Sequence, residues 1–334
     1  MTLTLTVLLP VHNRGGLTAA FIKHLDQILP SSYALSVVIF DDGCTDDTIE
    51  CAHKEWPSAA VIQLGGHAFW GGALNAVASY IQEQARQGIG SDYYLLCNDD
   101  IRFSVQSNLL SALQATSDQS LVCARAIMVD HARVTSAGFI TASPQSTATQ
   151  AIHYSSRLGK FIPASDESKV NVASTWAMLT TQKPWLHSVA IPTSIPHYLS
   201  DYWLTYNLSK IGFQISHPEH FTCLVSMQTT RNIHKSSGHS WLESKNTRIK
   251  EITSKTSPEY APAWISFYKQ DSPSVAKLLK TIKLWLLFKL SKLVLAIFNY
   301  SGKAKEPTNP KGAYGSIDLK EDLSRIEFRQ EKTL

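Results

Sequence analysis

The chain has 334 residues, 44% hydrophobic and 17% charged, with a formal net charge of +4. That composition excludes a disordered or fibrous chain and leaves one large globular domain or two modest ones. The charge is uneven: residues 246–334 hold 16 Lys and Arg against 9 Asp and Glu, so the part before them is net acidic.

Thr2–Val11, in MTLTLTVLLPV, alternates, turns apolar and reads as a first strand ending at Pro10. It lacks the basic lead and small-residue cleavage site of a secretory signal, so the expected compartment is the cytoplasm. A loop, HNRGG, precedes helical spacing of Leu17, Phe21, Ile22, Leu25 and Leu29. Leu35–Phe40 is a buried strand, and DDGCTDDT follows, with Thr45 or Asp46 available to cap a helix running to Trp56. Ala60–Leu64 is a third strand, GGHAFWGG a loop, and Ala73–Gln87 a helix. A fourth strand, YYLLC, runs into Asn98, Asp99 and Asp100. Strand and helix alternating at this rhythm predict βαβ units and a parallel sheet, whose ligands sit beyond the carboxyl ends of the strands. Leu121–Val129 and Val134–Ile140 read as strands of a more antiparallel region, Ala142–Lys169 as a loop or hairpin excursion, Val170–Thr181 as a strand, and Asp201–Ile211 as a helix bounded by Gly212. Five cysteines (Cys44, Cys51, Cys97, Cys123, Cys223) form no CxxC pair or zinc spacing and read as reduced thiols.

The chemistry gathers at the predicted strand ends. Carboxylates at the end of a buried strand need a cationic partner, and a divalent ion carrying a diphosphate is one. Asn-Asp-Asp is also ordinary turn chemistry. Glycines in GGHAFWGG let backbone approach a phosphate or sugar, and the helix after them favours anions at its N-terminus. Ser200 or Asp201 is a good N-cap for the helix that follows.

These segments together resemble the inverting, GT-A-fold family 2 glycosyltransferases, in particular the bacterial surface-polysaccharide branch with its rhamnosyltransferases, over roughly residues 3–240. The resemblance implies a GT-A-type Rossmann-like mixed sheet flanked by helices. It places Pro10, His12 and Arg14 in the nucleotide loop LLPVHNR, and Asp41 and Asp42 at the base, with Cys44 where serine is usual. Gly71, Gly72 and Asn75 follow Trp70 in the Gly-rich loop. Asn98-Asp99-Asp100 matches the Asp-x-Asp element, with Asp100 as metal ligand, Asn98 toward ribose or a metal-bound water, and Asp99 in the variable position. Trp176, His197 and Tyr198 line the acceptor side, where Thr175 replaces a usual glycine. Asp201 is the implied general base, and asparagine stands at Asn207 where arginine is common. His234 in IHKSSGHS is the implied second metal ligand, with His220 or His239 as substitutes. The implied cofactor is Mg²⁺ or Mn²⁺. The implied partners are a nucleoside diphosphate sugar, dTDP-rhamnose or a UDP-sugar, and a glycan or lipid-linked glycan acceptor. The alternatives are a sugar-phosphate nucleotidyltransferase and an inactive glycan-binding or tethering relative.

The expected organisation is a glycosyltransferase domain over 1–245, with a nucleotide-binding half (1–103) and an acceptor half (104–245), a helical extension over 246–300, and a polar tail over 301–334, read as partly disordered. Between Ser272 and Lys305 there are seven lysines and no acid. Residues 274–300 form a basic amphipathic helix with Leu278, Leu279, Ile282, Leu286, Leu293 and Ile297 on one face. Five lysines are too many for a membrane span, so the helix is expected to lie on the inner face of the cytoplasmic membrane. Packing on its own domain or on a second subunit is the other reading. The apolar content argues against nucleic acid.

Overall fold

The computed structural model describes residues 2–29, 31–104, 107–129, 151–226, 249 and 251–297. Its main sheet has seven strands in the order Gln214–Ser216, Ser120–Cys123, Ala177–Thr180, Tyr93–Cys97, Leu3–Val11, Tyr33–Asp41 and Ala60–Gln63. Four of them, β1 (Leu3–Val11), β2 (Tyr33–Asp41), β3 (Ala60–Gln63) and β4 (Tyr93–Cys97), are parallel neighbours. The middle strands are near-continuous apolar runs because helices cover both faces of the sheet. Leu5, Val7, Leu9 and Leu95 pack on one side, and Leu8, Phe40, Tyr94 and Leu96 on the other.

Helices α1 (Gly15–Ile28), α2 (Thr48–Glu55) and α3 (Phe69–Arg86) link these strands. The predicted helix at Ala73 thus starts four residues early. Gly71 and Gly72 belong to its first turn, because Asp42 accepts the Ala68 and Phe69 N–H groups at 2.9 and 2.8 Å and caps the helix from another loop. Asp46 Oδ1 accepts the Thr48 N–H at 3.1 Å, beside the first residue of α2.

The run Leu121–Val129 is two strands. β6 (Ser120–Cys123) stays in the main sheet, while β7 (Arg125–Val129) turns at Ala124 into a three-stranded sheet, β5-β12-β7, with β5 (Ile101–Phe103) and β12 (Thr222–Ser226). Val170–Thr181 contributes only β10 (Ala177–Thr180), antiparallel to β4 and β6. The polar stretch before it contains a hairpin, β8 (Ile152–Ser155) and β9 (Lys160–Pro163). Val134–Ile140, His234 and His239 lie outside the described residues.

Short helices α4 (Leu109–Gln114) and α5 (Lys183–Leu186) precede α6 (Ser200–Lys210) and β11 (Gln214–Ser216). Helix α7 (Ala261–Lys269) packs into the same core as α6: Phe267 is fully buried, with ring centroids 4.9 Å from Tyr154 and 6.2 Å from Tyr206. Helix α8 (Val275–Ile297) follows and packs on α7.

Because β10 is antiparallel, its beginning meets the ends of β1, β2 and β4. Ala177 pairs with Cys97. The segment 174–176 therefore shares one edge with the loops after Val11, Asp41 and Cys97.

Candidate active site

The tip of β4 divides its acids by environment. Asp99 is 2% exposed and accepts from Thr18 Oγ1 at 2.8 Å and Arg14 Nη1 at 3.0 Å. Burial raises its carboxyl above the ordinary range against the pull of Arg14. Asp100 stays open, its side chain 41% exposed, and takes the same Arg14 Nη1 at 3.0 Å. Asn98 donates its N–H to Trp176 O at 2.9 Å, while its Oδ1 is buried without a hydrogen-bond partner. An orphaned buried oxygen beside an open carboxylate fits a hard cation, which binds through one or two protein oxygens plus phosphate. Asp99 does not join them, since its oxygens hold α1 and Arg14. Among the described residues no cluster of three His, Cys, Asp or Glu forms a ready-made metal site. His220 gives its carbonyl to Asn108 N at 2.6 Å, and the antiparallel register that sets Val225 against Ile101 puts it at the other end of β12 from Asp100.

The nucleotide-loop residues follow β1. Pro10 is buried within the strand, opposite Phe40. His12 Nδ1 lies 2.7 Å from Asp42 O. Arg14 N–H donates to Thr48 Oγ1 at 2.8 Å, and Thr45 N–H to Asn13 Oδ1 at 2.7 Å, so this loop and the Asp41–Asp47 loop support each other. Asp41 Oδ1 accepts the Cys44 N–H at 2.7 Å, and burial pushes the Cys44 thiol up to about 12. Both oxygens of Asp42 cap α3.

Gly71, Gly72 and Asn75 also have structural duties in α3. A Cβ at Gly71 would lie 2.4 Å from Ile195 O and 3.1 Å from Pro196 O, and its N–H donates to Pro196 O at 2.8 Å. A Cβ at Gly72 would meet Ala68 Cβ at 2.9 Å. Asn75 clamps Ile191, donating to its carbonyl at 2.9 Å and accepting its N–H at 2.8 Å. Gly71 thus lets α3 approach the segment 191–200 that leads into α6.

That approach builds the surroundings of Asp201. Trp70 Nε1 donates a short hydrogen bond to Asp201 Oδ1, and Thr175 Oγ1 donates to the same oxygen at 2.7 Å. Burial raises the Asp201 carboxyl, opposed by Thr175 and Trp70. Sequence reasoning treated Thr175 as a departure from a glycine; here its fully buried hydroxyl orients the acid. Trp70 was visible only as the aromatic of the Gly-rich loop. His197 lies between the halves: burial, then the charge of Arg14, lowers its ring to about 4, with Asp100 opposing. Its ring lies 4.8 Å from that of Tyr198, tilted by 39°. Asn207 faces away, donating to Trp203 O at 2.8 Å and Gln270 Oε1 at 3.0 Å. Arg14 is a cation at this edge, and Arg102 is a second, donating to Asp99 O at 3.4 Å.

Among the described residues, three non-glycine residues have left-handed backbone: Asn13 (φ 50°), Phe69 (φ 51°) and Leu199 (φ 72°). All sit on the loops that carry Arg14, Trp70 and Asp201.

No family model matches the sequence, and no curated relative does. Solved structures are similar in fold. GalNAc-T7, solved with UDP, GalNAc and Mn²⁺, matches with a TM-score of 0.52 at 13% identity, over 90% of this chain and 58% of its own, so this chain spans less than two thirds of it. A mannosyltransferase from Pyrobaculum calidifontis, solved with GDP-Man and Mn²⁺, gives 0.48 at 13% identity over 89% of this chain and 75% of its own. S. aureus TarS 1-349 gives 0.45 at 12% identity over 96% and 78%. The seven-stranded mixed sheet with helices on both faces has an architecture similar to that of the GT-A glycosyltransferases.

Proposed function

We propose that the chain is an inverting glycosyltransferase. It moves a sugar from a nucleoside diphosphate donor, dTDP-rhamnose or a UDP-sugar, to a hydroxyl of a lipid-linked glycan in surface polysaccharide synthesis. The observation that carries this reading is the clamp at residues 175 and 176. Trp176 accepts the N–H of Asn98 at the tip of β4, and its neighbour Thr175 donates to Asp201. An open carboxylate at a strand end and a base at a helix start are thus held at one edge by adjacent residues.

In the transfer, Asp201 takes the proton of the acceptor hydroxyl as its oxygen bonds to the anomeric carbon and the bond to the diphosphate breaks. Attack opposite the leaving group inverts that carbon. Burial keeps Asp201 a better base than an exposed aspartate, and Trp70 and Thr175 fix its orientation. On the donor side Asp100 and Asn98 would hold Mg²⁺ or Mn²⁺, with His234 as a further ligand. When bound, such an ion supplies Lewis-acid neutralisation of the departing diphosphate. Arg14 adds a fixed positive charge beside it. Asp41 and Asp42 would read the base.

The test is nucleoside diphosphate release with a donor panel and a glycan acceptor, followed by the anomeric configuration of the product. Asp201→Asn should keep donor binding and lose about 10²–10⁴-fold in turnover. Turnover that survives this change, or a product of retained configuration, overturns the proposal.

A further inference from the structure

Helix α8 is packed inside out. The face against the domain is polar: Lys277 is 2% exposed with Nζ 4.0 Å from Asp271, Ser291 is buried, and Lys280 Nζ donates to Leu158 O and Gly159 O at 2.8 and 2.7 Å. Leu284, Leu287 and Phe288 add partial apolar cover, Phe288 with its ring 6.3 Å from Tyr260. The opposite face is apolar and open: Leu279, Ile282, Trp285, Leu286, Leu290 and Leu293 are each between 46 and 61% exposed. Over 23 residues this face runs for about 34 Å. Contiguous exposed apolar surface of that size marks an interaction site.

Charge decides what covers it. Lys283, Lys289 and Lys292 are exposed along the same outward side, and no acid occurs between residues 272 and 305. Two copies of the helix packed face to face would set lysines against lysines with no carboxylate on either helix to answer them. An anionic bilayer answers both halves of the pattern, with phosphate headgroups for the lysines and acyl chains for the leucines. Trp285 is half exposed beside Lys289, whose Nζ is 5.8 Å from its ring, and sits where an interfacial tryptophan belongs. Among the described residues no helix is long and apolar enough to cross a membrane, so the helix lies in the plane.

We infer that the outward face of α8 docks this chain on the surface of an anionic lipid bilayer. The docking rests on the helix alone and stands apart from the proposed transfer. One consequence joins the two. Tyr202, next to Asp201, touches Phe161 at 4.9 Å between ring centroids, Phe161 touches Trp264 of α7 at 5.8 Å, and α7 packs on α8. The docked face therefore lies behind the acceptor side of the site.

The test is flotation of the full chain with vesicles of phosphatidylcholine alone or with phosphatidylglycerol added, with Trp285→Phe used to assign any blue shift of tryptophan emission. Binding is expected only with phosphatidylglycerol, weakened by salt, with emission moving to the blue. The triple variant Lys283→Gln, Lys289→Gln, Lys292→Gln should bind about a hundredfold more weakly, and Leu286→Glu with Leu293→Glu should abolish binding while leaving the folded melting transition in place. Lys277→Met, on the inward face, should bind like the parent. Absence of flotation, or binding indifferent to the outward lysines, overturns the inference. So does a solution dimer by sedimentation that Leu286→Glu dissociates in a protein that never floats. None of these readouts needs donor or turnover, so failure of the transfer proposal leaves them unchanged.

Discussion

Gly71→Ala tests how the site is assembled. The new Cβ would start 2.4 Å from Ile195 O and 2.9 Å from Ser200 Oγ, where ordinary contact begins at 3.4 Å. The Ile195 carbonyl must therefore retreat by about 1 Å, the difference between those two distances. It is backbone, and cannot swing away as a side-chain tip would. Overpacking of this kind costs about 1–3 kcal/mol, and straining the 2.8 Å bond from Gly71 N–H to Pro196 O costs about 0.5–1.5 kcal/mol more. Alanine's better helix propensity returns about 1 kcal/mol. The net loss is about 1–3 kcal/mol, read as a lower urea midpoint with unchanged slope. The segment that moves leads directly into Ser200 and Asp201, and a displacement near 1 Å at reacting groups costs about a hundredfold in rate. Diphosphate release should thus fall far more than stability alone explains. Gly65→Ala in the same loop, whose Cβ would meet nothing within 4 Å, is the control and should keep both. A Gly71→Ala protein as stable and as active as the parent would refute the packing account of the Gly-rich loop.

Asp201→Asn should change the pH dependence of stability as well as turnover. Burial raises the folded-state carboxyl above its unfolded value, so its contribution to stability is present below the unfolded value and fades as pH rises through the folded one. The asparagine variant lacks that loss, and its melting temperature should gain on the parent from pH 4 to pH 8; a constant difference would refute the burial. Arg14→Met leaves Asp99 buried with Thr18 alone among its charge-stabilising bonds. It should destabilise by about 3 kcal/mol, the low end for a broken buried pair because Arg14 is partly exposed, seen in urea unfolding. Asn75→Leu removes both bonds to Ile191 and should lower stability by about 2–4 kcal/mol, as each orphaned backbone group costs about 1–3 kcal/mol; an unchanged urea midpoint would refute the clamp.

The parallel half of the fold was legible because strands buried on both faces leave no other pattern: VLLPV, VVIFD and YYLLC can hardly be anything else. The acid at Asp201 was legible too, as a carboxylate at the start of a helix. What the sequence hid were partners far along the chain. Trp70 and Asp201 are 131 positions apart, and Asn75 and Ile191 are 116 apart. No local window reveals that Gly-Gly after Trp70 continues a helix, because the cap that permits it comes from Asp42. The same distance explains Thr175. As a substitution it looked like damage to a motif, and only the arrival of α6 beside it turns the hydroxyl into a donor for Asp201. The split of Leu121–Val129 was hidden for another reason: two short strands in different sheets have the same apolar alternation as one longer strand.

The acids at this edge are told apart by what already holds them. Asp42 has both oxygens bound by the N–H groups that start α3, and Asp99 has its own bound by Thr18 and Arg14. Those carboxylates fix α3 and α1 against the sheet. Asp100 is open, and Asp201 is held through one oxygen by two side chains from different elements. The left-handed residues Asn13, Phe69 and Leu199 precede Arg14, Trp70 and Asp201 by one or two positions. Strained backbone survives only where the surroundings over-determine it. The bonds of Asp42 and Asp99 supply that at Phe69, whose N–H Asp42 accepts, and on the loop of Asn13, where Arg14 grips Asp99. The bond from Gly71 N–H to Pro196 O supplies it three residues before Leu199. The frame thus forces three unfavourable turns, which deliver Arg14 to Asp100, Trp70 to Asp201, and Asp201 itself.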